Sequence, residues 1–327
     1  MNHVRDDAWY AARLVEPQGP VRCVIDTDTA NEIDDQFALA WALLAGERLQ
    51  VEAVYAEPFS FAYRQGELAH APRGAPPFNP PAEGMRRSLA EIIRIYELLG
   101  RDHRGRAFAG SASYLASPDR PLESEAAEHL VALARACAPG ETLYVLALGC
   151  VTNIASALLM APDIADRVVV VWTSGYPSHA PHVNDSFNLE QDMHASRVLL
   201  RSGVPLVYLP GFHVGAQLRL SLAEVEAHVR GCGAIGSYLH HLFTNNPLWT
   251  IYPADSAKPH SWVIWDLICV AWLLEPGWLR STLVRTPDLG DDKRWIRRDD
   301  SHLMREAFAV DRDAIFNDLF ARLGAAP

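Results

Sequence analysis

Residues 24–35 read VIDTDTANEIDD, a short apolar run that leads into four aspartates and one glutamate within ten residues. A buried strand that ends in so many carboxylates is costly unless a cation neutralises them. In α/β proteins, ligands bind outside the carboxyl ends of the strands, which is where this cluster would lie. The segment therefore predicts the first strand of an α/β fold and marks the place of its chemistry.

The residues around this cluster form a strand–helix–strand pattern. Residues 21–27 are a β-branched run, residues 34–49 carry apolar side chains at helical spacing, and residues 51–56 are typical of a second strand. Together they predict one right-handed βαβ unit. Residues 67–84 are rich in Pro and Gly and predict a loop.

The rest of the chain continues the alternation. Further strands are predicted at 142–148, 167–173, 205–209 and near Leu283, and helices at 87–99, 123–138, from 153, from 192, 221–229, 235–243, 263–274 and 313–323. No repeat or linker divides the sequence. We therefore expect one domain over residues 1–327: a mostly parallel, doubly wound (Rossmann-like) sheet flanked by helices, with a helical addition near the C-terminus.

Composition excludes several classes of protein. The formal net charge is −11 and no lysine-arginine run stands out, so nucleic acid is not an expected partner. The five cysteines have wide, irregular spacing, which favours reduced thiols over a disulfide framework or a zinc site. The N-terminus lacks an apolar signal core and no apolar run is long enough to cross a bilayer, so we expect no membrane association and a cytoplasmic location.

The acidic cluster offers only oxygen ligands, because no cysteine or histidine pattern accompanies it. Oxygen ligands favour Ca²⁺ or Mg²⁺ over zinc. Calcium takes about 6–8 oxygens, so further ligands must come from elsewhere in the chain. The alternative is that Asp34 and Asp35 only stabilise the start of a helix. The preceding Asp26-x-Asp28 weighs against that alternative.

The pattern Asp26-x-Asp28…Asp34-Asp35 resembles the signature of the inosine-uridine preferring nucleoside hydrolases. Three more segments agree with that family in order and spacing. Residues 146–155 (LALGCVTNIA) resemble its central strand–turn–helix, and residues 187–192 (FNLEQD) resemble its ribose-recognition segment. Trp265-Asp266, placed on a late helix, resembles its last metal-ligand element.

The resemblance implies Ca²⁺-dependent hydrolysis of the N-glycosidic bond of ribonucleosides to free base and ribose. It assigns Ca²⁺ to three carboxylates and one backbone carbonyl, those of Asp28, Asp35, Asp266 and Leu148. Asp28 would also be the general base, while Asp34 and Asn188 would hold the sugar hydroxyls. No covalent nucleophile is needed, so we expect a single displacement with inversion at the anomeric carbon. Relatives are commonly homodimers or homotetramers, and the same is expected here.

Two departures from the family pattern concern the sugar. Five residues separate Asp28 from Asp34, a longer loop than the commonest family pattern has, and it can bring Asn31 or Glu32 into the site. Ser186 stands where the family usually has a glutamate for the ribose 5′-hydroxyl, and Asn184 is a candidate substitute. The sequence therefore leaves open a modified 5′ position or a sugar other than plain ribose.

The expected preference for the leaving base depends on Trp265. Base-unspecific members have a histidine at this point, whereas purine-preferring members resemble this chain in placing a tryptophan that stacks on the base. Stacking of this kind is worth about 1–3 kcal/mol, so we expect a purine preference; the alternative is that Trp265 only packs in an apolar helix. Phe59 is a candidate for the opposing face of the base, and His241 a candidate base contact or leaving-group acid.

Two other functions are compatible with the sequence. A degenerate relative would bind a nucleoside or calcium without hydrolysing it. A haloacid-dehalogenase-type phosphatase would also begin with a strand-end Asp-x-Asp and use Mg²⁺, and Asp34 and Asp35 would then be incidental.

Overall fold

The computed structural model of the chain describes residues 5–68, 76–252 and 258–326. Its strands are β1 (Val21–Thr27), β2 (Leu49–Ala56), β3 (Ala107–Ala109), β4 (Leu143–Ala147), β5 (Val168–Ser174), β6 (Leu206–Pro210), β7 (Arg219–Ser221), β8 (Ser261–Val263), β9 (Leu279–Arg285), β10 (Asp288–Leu289), β11 (Trp295–Ile296) and β12 (Leu303–Val310). Its helices are α1 (Asp7–Arg13), α2 (Asp34–Leu44), α3 (Pro81–Leu98), α4 (Glu125–Ala136), α5 (Thr152–Met160), α6 (Phe187–Glu190), α7 (Met193–Arg201), α8 (Leu222–His228), α9 (Gly233–Thr244), α10 (Leu267–Leu274) and α11 (Arg312–Gly324).

Eight strands form one sheet in the order β3-β2-β1-β4-β5-β6-β12-β9. All neighbouring pairs are parallel except β12 and β9. The chain leaves β1 toward β2 on one side and later returns to place β4 on the other, so the strand order reverses at β1. Such a reversal opens a crevice at the carboxyl ends of the strands, where α/β folds bind ligands. The predicted mostly parallel, doubly wound sheet is confirmed.

Helices cover both faces of the sheet and bury two apolar clusters. One cluster includes residues of α2, α9, α10 and α11, and the other includes residues of α4, α5 and α7. Ten of the 11 residues of α2 are buried, so this helix is enclosed by its neighbours. No helix in the described ranges is long and apolar enough to cross a membrane. None of the five cysteines is in a disulfide, and four of them are buried, as the sequence predicts.

Several predicted boundaries differ from the structure. Helix α2 ends at Leu44, and β2 already begins at Leu49. Helix α3 begins at Pro81, inside the predicted loop 67–84, since a proline is well tolerated at the first position of a helix. Residues 69–75 of that loop lie outside the described residues. The predicted helix 263–274 begins only at Leu267, because the residues before it pair as β8 with β7.

The sequence does not predict β12, although this strand joins β6 to β9 in the sheet. Its two adjacent charged residues hide the strand pattern, and both are satisfied by hydrogen bonds. Arg305 Nη1 donates to the Ser281 hydroxyl at 3.1 Å, and Glu306 Oε1 accepts from the Ser178 backbone N–H at 2.8 Å. The charges are therefore compatible with a central position in the sheet.

Candidate functional site

The carboxyl edge of the sheet opens into a cavity of about 180 Å³. Asp28 follows β1, Leu148 follows β4, and Asp266 directly precedes α10. Asp34 and Asp35 form the first turn of α2, where no side chain caps the helix. All five residues line the cavity. The fold therefore brings side chains from both ends of the sequence to one place.

Three carboxylates form a cluster in this cavity. One oxygen from each of Asp34, Asp35 and Asp266 lies within 4.8 Å of the others. Each of the three is at most 3% exposed to solvent. Carboxylates at this separation repel one another strongly when water is excluded.

Asp28 lies beside the cluster against the turn after β4. A Cβ atom built on Gly149 would be 2.7 Å from Asp28 Oδ1, so only glycine fits at this point without displacing the carboxylate. The Asn31 side-chain amide donates to Asp28 Oδ2 at 3.1 Å. The charge of Asp35 also acts on Asp28. Asp28 therefore belongs to the same electrostatic group as the three clustered carboxylates.

Burial raises the pKa of each of these carboxyl groups. The pKa values of Asp28, Asp34 and Asp266 lie well above their usual range, first because of desolvation and then because of the neighbouring carboxylates. Desolvation raises the pKa of Asp35 to about 6, although the Thr27 hydroxyl donates a hydrogen bond to its Oδ1. Without a cation, burial therefore favours the protonated form of these groups, and a bound cation would favour the ionised form.

The donor set fits a hard divalent cation. It consists of oxygen atoms only, which suits Ca²⁺ or Mg²⁺ rather than a soft transition metal. Asp34 Oδ1 is buried and has no hydrogen-bond partner among the described residues. The Leu148 carbonyl already accepts a hydrogen bond from Asn188 Nδ2, and a carbonyl oxygen has a second lone pair for another ligand.

Asn188 is fixed at the centre of the cavity by the sheet. Its amide nitrogen donates to the carbonyl of Leu148 after β4 and, at 3.3 Å, to the carbonyl of Thr173 in β5. Asn188 itself lies in the short helix α6 and lines the cavity beside the carboxylates. The structure therefore brings Asn188 together with Asp28, Asp34, Asp35 and Asp266.

The longer loop after β1 contributes both of the residues expected from it. Asn31 and Glu32 line the cavity, and the preceding Ala30 has a φ of 80°, in the left-handed region that costs a non-glycine residue energy. The Trp262 indole N–H donates to Glu32 Oε1 at 2.6 Å. Desolvation raises the pKa of Glu32 to about 7, and the charge of Asp35 adds to the effect.

Trp265 lies before α10 and lines the cavity rather than the helix core. Its ring meets Phe212 edge-on, with the ring centroids 6.0 Å apart and the planes at 87°. The alternative that Trp265 only packs in an apolar helix does not hold, because the residue precedes the helix and borders the open space.

Three predicted contacts do not line the cavity. Phe59 is buried against Gly84 of α3, and Phe61, two residues later, lines the cavity instead and stacks on Phe187 with centroids 4.2 Å apart. The Asn184 side chain already has two hydrogen-bond partners: its Oδ1 accepts from the Tyr176 backbone N–H at 2.8 Å, and its Nδ2 donates to the Lys293 carbonyl at 3.0 Å.

His241 is exposed on α9, and its Nδ1 lies 3.2 Å from the side-chain amide nitrogen of Asn245, the residue that follows this helix. A helix presents neighbouring positions on different faces, and this one turns outward. We therefore correct the assignments of Phe59, Asn184 and His241 to the site.

Five residues that line the cavity are not predicted from the sequence. They are Phe61, Arg64, Ser174, Phe212 and Tyr252. They come from loops and strand ends that carry no motif, so only the fold brings them together. The sequence gives only a weak indication of them, because each follows or ends a predicted strand or lies in a segment with no predicted strand.

Comparison with known proteins agrees with this geometry. The sequence model of the inosine-uridine preferring nucleoside hydrolases matches residues 23–316. The chain belongs to this family. The predicted family is therefore confirmed, and since its members cleave N-glycosidic bonds, the phosphatase alternative is excluded.

Solved structures of nucleoside hydrolases share the fold. The chain is similar to a plant nucleoside hydrolase, PpNRh1, with a TM-score of 0.66, 18% identity, and coverage of 94% of this chain and 99% of that one. It is also similar to a purine-preferring ribonucleoside hydrolase from Gardnerella vaginalis, with a TM-score of 0.67, 20% identity, and coverage of 93% and 98%.

One curated relative is similar in sequence. The uncharacterized protein C1683.06c of Schizosaccharomyces pombe is 29% identical over 182 residues, which are 53% of this chain and 55% of that protein. The chain thus spans about half the length of the curated relative that it matches.

Proposed function

We propose that this chain hydrolyses the N-glycosidic bond of ribonucleosides, preferring purines, and that it requires Ca²⁺. The observation that carries the proposal is the meeting of Asp28, Asp34, Asp35 and Asp266 with Asn188 in one buried cavity. Isolated carboxylates at helix starts are common, but a buried cluster from distant segments that forms no ion pair with any described lysine or arginine favours a bound ion.

Asp28, Asp35, Asp266 and the Leu148 carbonyl would hold the ion. Three carboxylates and a carbonyl favour Ca²⁺, since Mg²⁺ usually keeps several waters and uses one or two carboxylates. When bound, the cation would acidify a water molecule and fix the sugar diol.

Residues of the protein would then accept the proton, bind the sugar hydroxyls and stabilise the developing charge. Asp28, held by the Asn31 amide, would accept a proton from the attacking water. Asp34 and Asn188 would hold the 2′- and 3′-hydroxyls. The buried carboxylates would stabilise the positive charge that spreads over the ribose ring as the bond breaks. Because this scheme uses no covalent nucleophile, we propose inversion at the anomeric carbon.

A nucleoside panel tests the proposed activity. With Ca²⁺ present, we expect inosine, guanosine and adenosine to release reducing sugar, because the acidic cavity is then complete. A chelator should abolish the release, and Ca²⁺ should restore it better than Mg²⁺.

Nucleoside binding without any release of base would instead show a non-catalytic relative. Release that a chelator leaves unchanged would contradict the metal requirement.

Trp265 carries the proposed purine preference. We expect Trp265→Ala to lower kcat/KM for inosine about 10- to 100-fold, because the aromatic surface for the base is lost. Uridine hydrolysis should fall much less, and Trp265→Phe should retain part of the inosine activity. The measurement is kcat/KM for both substrates in each variant.

Equal losses for inosine and uridine would contradict a role in base selection. The structural neighbour that is described as purine-preferring is consistent with this proposal.

A further inference from the structure

The cavity has a second side that differs in charge from the carboxylate cluster. Arg64, Ser186, Phe61 and Tyr252 line it, and we call this group the Arg64 corner. Among the described residues that line the cavity, Arg64 is the only lysine or arginine, against six acidic residues. A neutral nucleoside would not need a cation in the cavity lining.

The Arg64 corner carries more positive charge than its own carboxylate neutralises. Glu190 is buried and accepts a hydrogen bond from Arg64 Nε at 2.5 Å and from Lys293 Nζ at 2.5 Å. It also accepts one from the Tyr63 hydroxyl at 3.0 Å. Two cations thus meet one buried carboxylate, so Glu190 alone does not neutralise both of them.

The guanidinium has donors left for a ligand. Nε and Nη2 of Arg64 are used by Glu190 and by the Asp185 carbonyl, whereas Nη1 donates to none of the residues that the structure describes. The hydroxyl oxygens of Ser186 and Ser174 lie 3.1 Å apart at the same side of the cavity. A planar guanidinium with nearby hydroxyls is a typical arrangement for binding phosphate or carboxylate.

The position of this corner indicates which part of the substrate it meets, and this step rests on the proposed function. The site must accommodate three parts of a bound ribonucleoside: the base, the 2′,3′-diol and the 5′ carbon. Asp34 and Asn188 would take the diol and Trp265 the base. The 5′ carbon is then left to point toward the Arg64 corner.

We propose that the preferred substrate carries an anionic group at its 5′ end, and that this group is a phosphate bound by Arg64 and Ser186. The natural substrate class would then be 5′-phosphorylated ribonucleosides, which release a base and ribose 5-phosphate on hydrolysis. The overall reaction stays the addition of water across one N-glycosidic bond, so no further reactant is needed.

A substitution at Asp185 is expected to change phosphate binding in the opposite direction to a substitution at Arg64. Its exposed carboxylate also lines the cavity and makes no ion pair with any described residue. This charge weakens anion binding at the corner. Asp185→Asn should therefore strengthen the binding of a phosphate, whereas Arg64→Gln should weaken it.

The test compares matched ligands with and without phosphate. With Ca²⁺ present, kcat/KM is measured for inosine and inosine 5′-monophosphate by the release of hypoxanthine, and the affinities of ribose and ribose 5-phosphate are measured by calorimetry. We expect the phosphorylated member of each pair to be favoured by at least 10-fold. Arg64→Gln should lower that ratio by about 10- to 100-fold, the size of a lost charged hydrogen bond. Arg135→Gln, at an exposed ion pair with Asp163 on α4, is the control and should leave the ratio unchanged.

The outcomes separate this inference from the proposed function. Hydrolysis of inosine at least as efficient as that of its 5′-phosphate would overturn the inference and leave nucleoside hydrolysis standing. Tighter binding of ribose 5-phosphate than of ribose, without hydrolysis of any substrate, would support the Arg64 corner and refute the proposed reaction. If Arg64→Gln does not fold, the inference is tested with Arg64→Lys and with calorimetry on the wild-type protein. Equal affinities of the wild type for ribose and ribose 5-phosphate would overturn the inference.

Discussion

Asp266→Asn is expected to abolish Ca²⁺ uptake and to lower kcat about 10³-fold or more, equivalent to about 4 kcal/mol of activation free energy. The reason is the closeness of its carboxylate to those of Asp34 and Asp35, all within 4.8 Å. An amide supplies one neutral oxygen where the cluster needs a charged ligand. Calorimetry with Ca²⁺ measures the uptake, and steady-state rates with inosine measure the loss.

The control for this variant is Asp163→Asn, which removes an exposed carboxylate paired with Arg135 far from the cavity. It should change neither Ca²⁺ uptake nor kcat. Asp35→Asn should behave like Asp266→Asn, because both side chains belong to the same cluster. Full activity in either cluster variant would contradict the proposed cation site.

Asp266→Asn is also expected to change the stability of the protein in the absence of the cation. Burial raises the pKa of Asp35 to about 6 and that of Asp266 well above its usual range, so the folded state binds more protons than the unfolded state. Stability without cation should therefore fall as pH rises from the unfolded value near 4 through the folded values. Asp266→Asn should weaken this fall, and added Ca²⁺ should reverse it in the wild type. Thermal unfolding between pH 5 and pH 7 is the measurement.

Asp28→Asn is the second variant with a large expected effect. We expect kcat to fall about 10³-fold, within the range found when a general base is removed. The wild-type rate should decrease on the acid side as Asp28 takes up a proton, whereas the small residual rate of the variant should lack that decrease. Rates measured over pH at saturating Ca²⁺ separate the loss of the base from weaker cation binding.

Asn31→Ala is the matched control for Asp28. It removes the amide that donates to Asp28 Oδ2 at 3.1 Å but leaves the carboxylate in place. The loss should be much smaller and the acid-side decrease should remain. A rate for Asp28→Asn within tenfold of the wild type would show that another group accepts the proton.

The sequence predicts the acidic half of the site well for a physical reason. Asp28, Asp34 and Asp35 follow a strand that is buried on both faces, so the local pattern already places them at the ligand-binding edge. The sequence relates Asn188 and Asp266 to the site only through the family resemblance, because no local pattern connects them with β1. The structure then brings all five together.

The other half of the site could not be predicted in the same way. Phe59 and Phe61 are two residues apart in a loop, and tertiary packing places them differently: the Phe59 backbone lies against Gly84, whereas Phe61 lines the cavity. The sequence does not predict that His241 faces outward, because residue spacing alone does not define how a helix is rotated about its axis. Arg64 carries no motif at all, and its importance follows from its contact with Glu190, 126 residues later.

The order of the strands has a consequence for synthesis on the ribosome. β12 lies between β6 and β9, and Trp41 of α2 donates a hydrogen bond to Asp318 of α11 at 2.8 Å. A nascent polypeptide that stops before residue 266 has the aspartates of the first loop but lacks their distant partner. If a cation binds at this cluster as proposed, its site is complete only once residue 266 has been synthesised, so the ion would stabilise the fold late in synthesis.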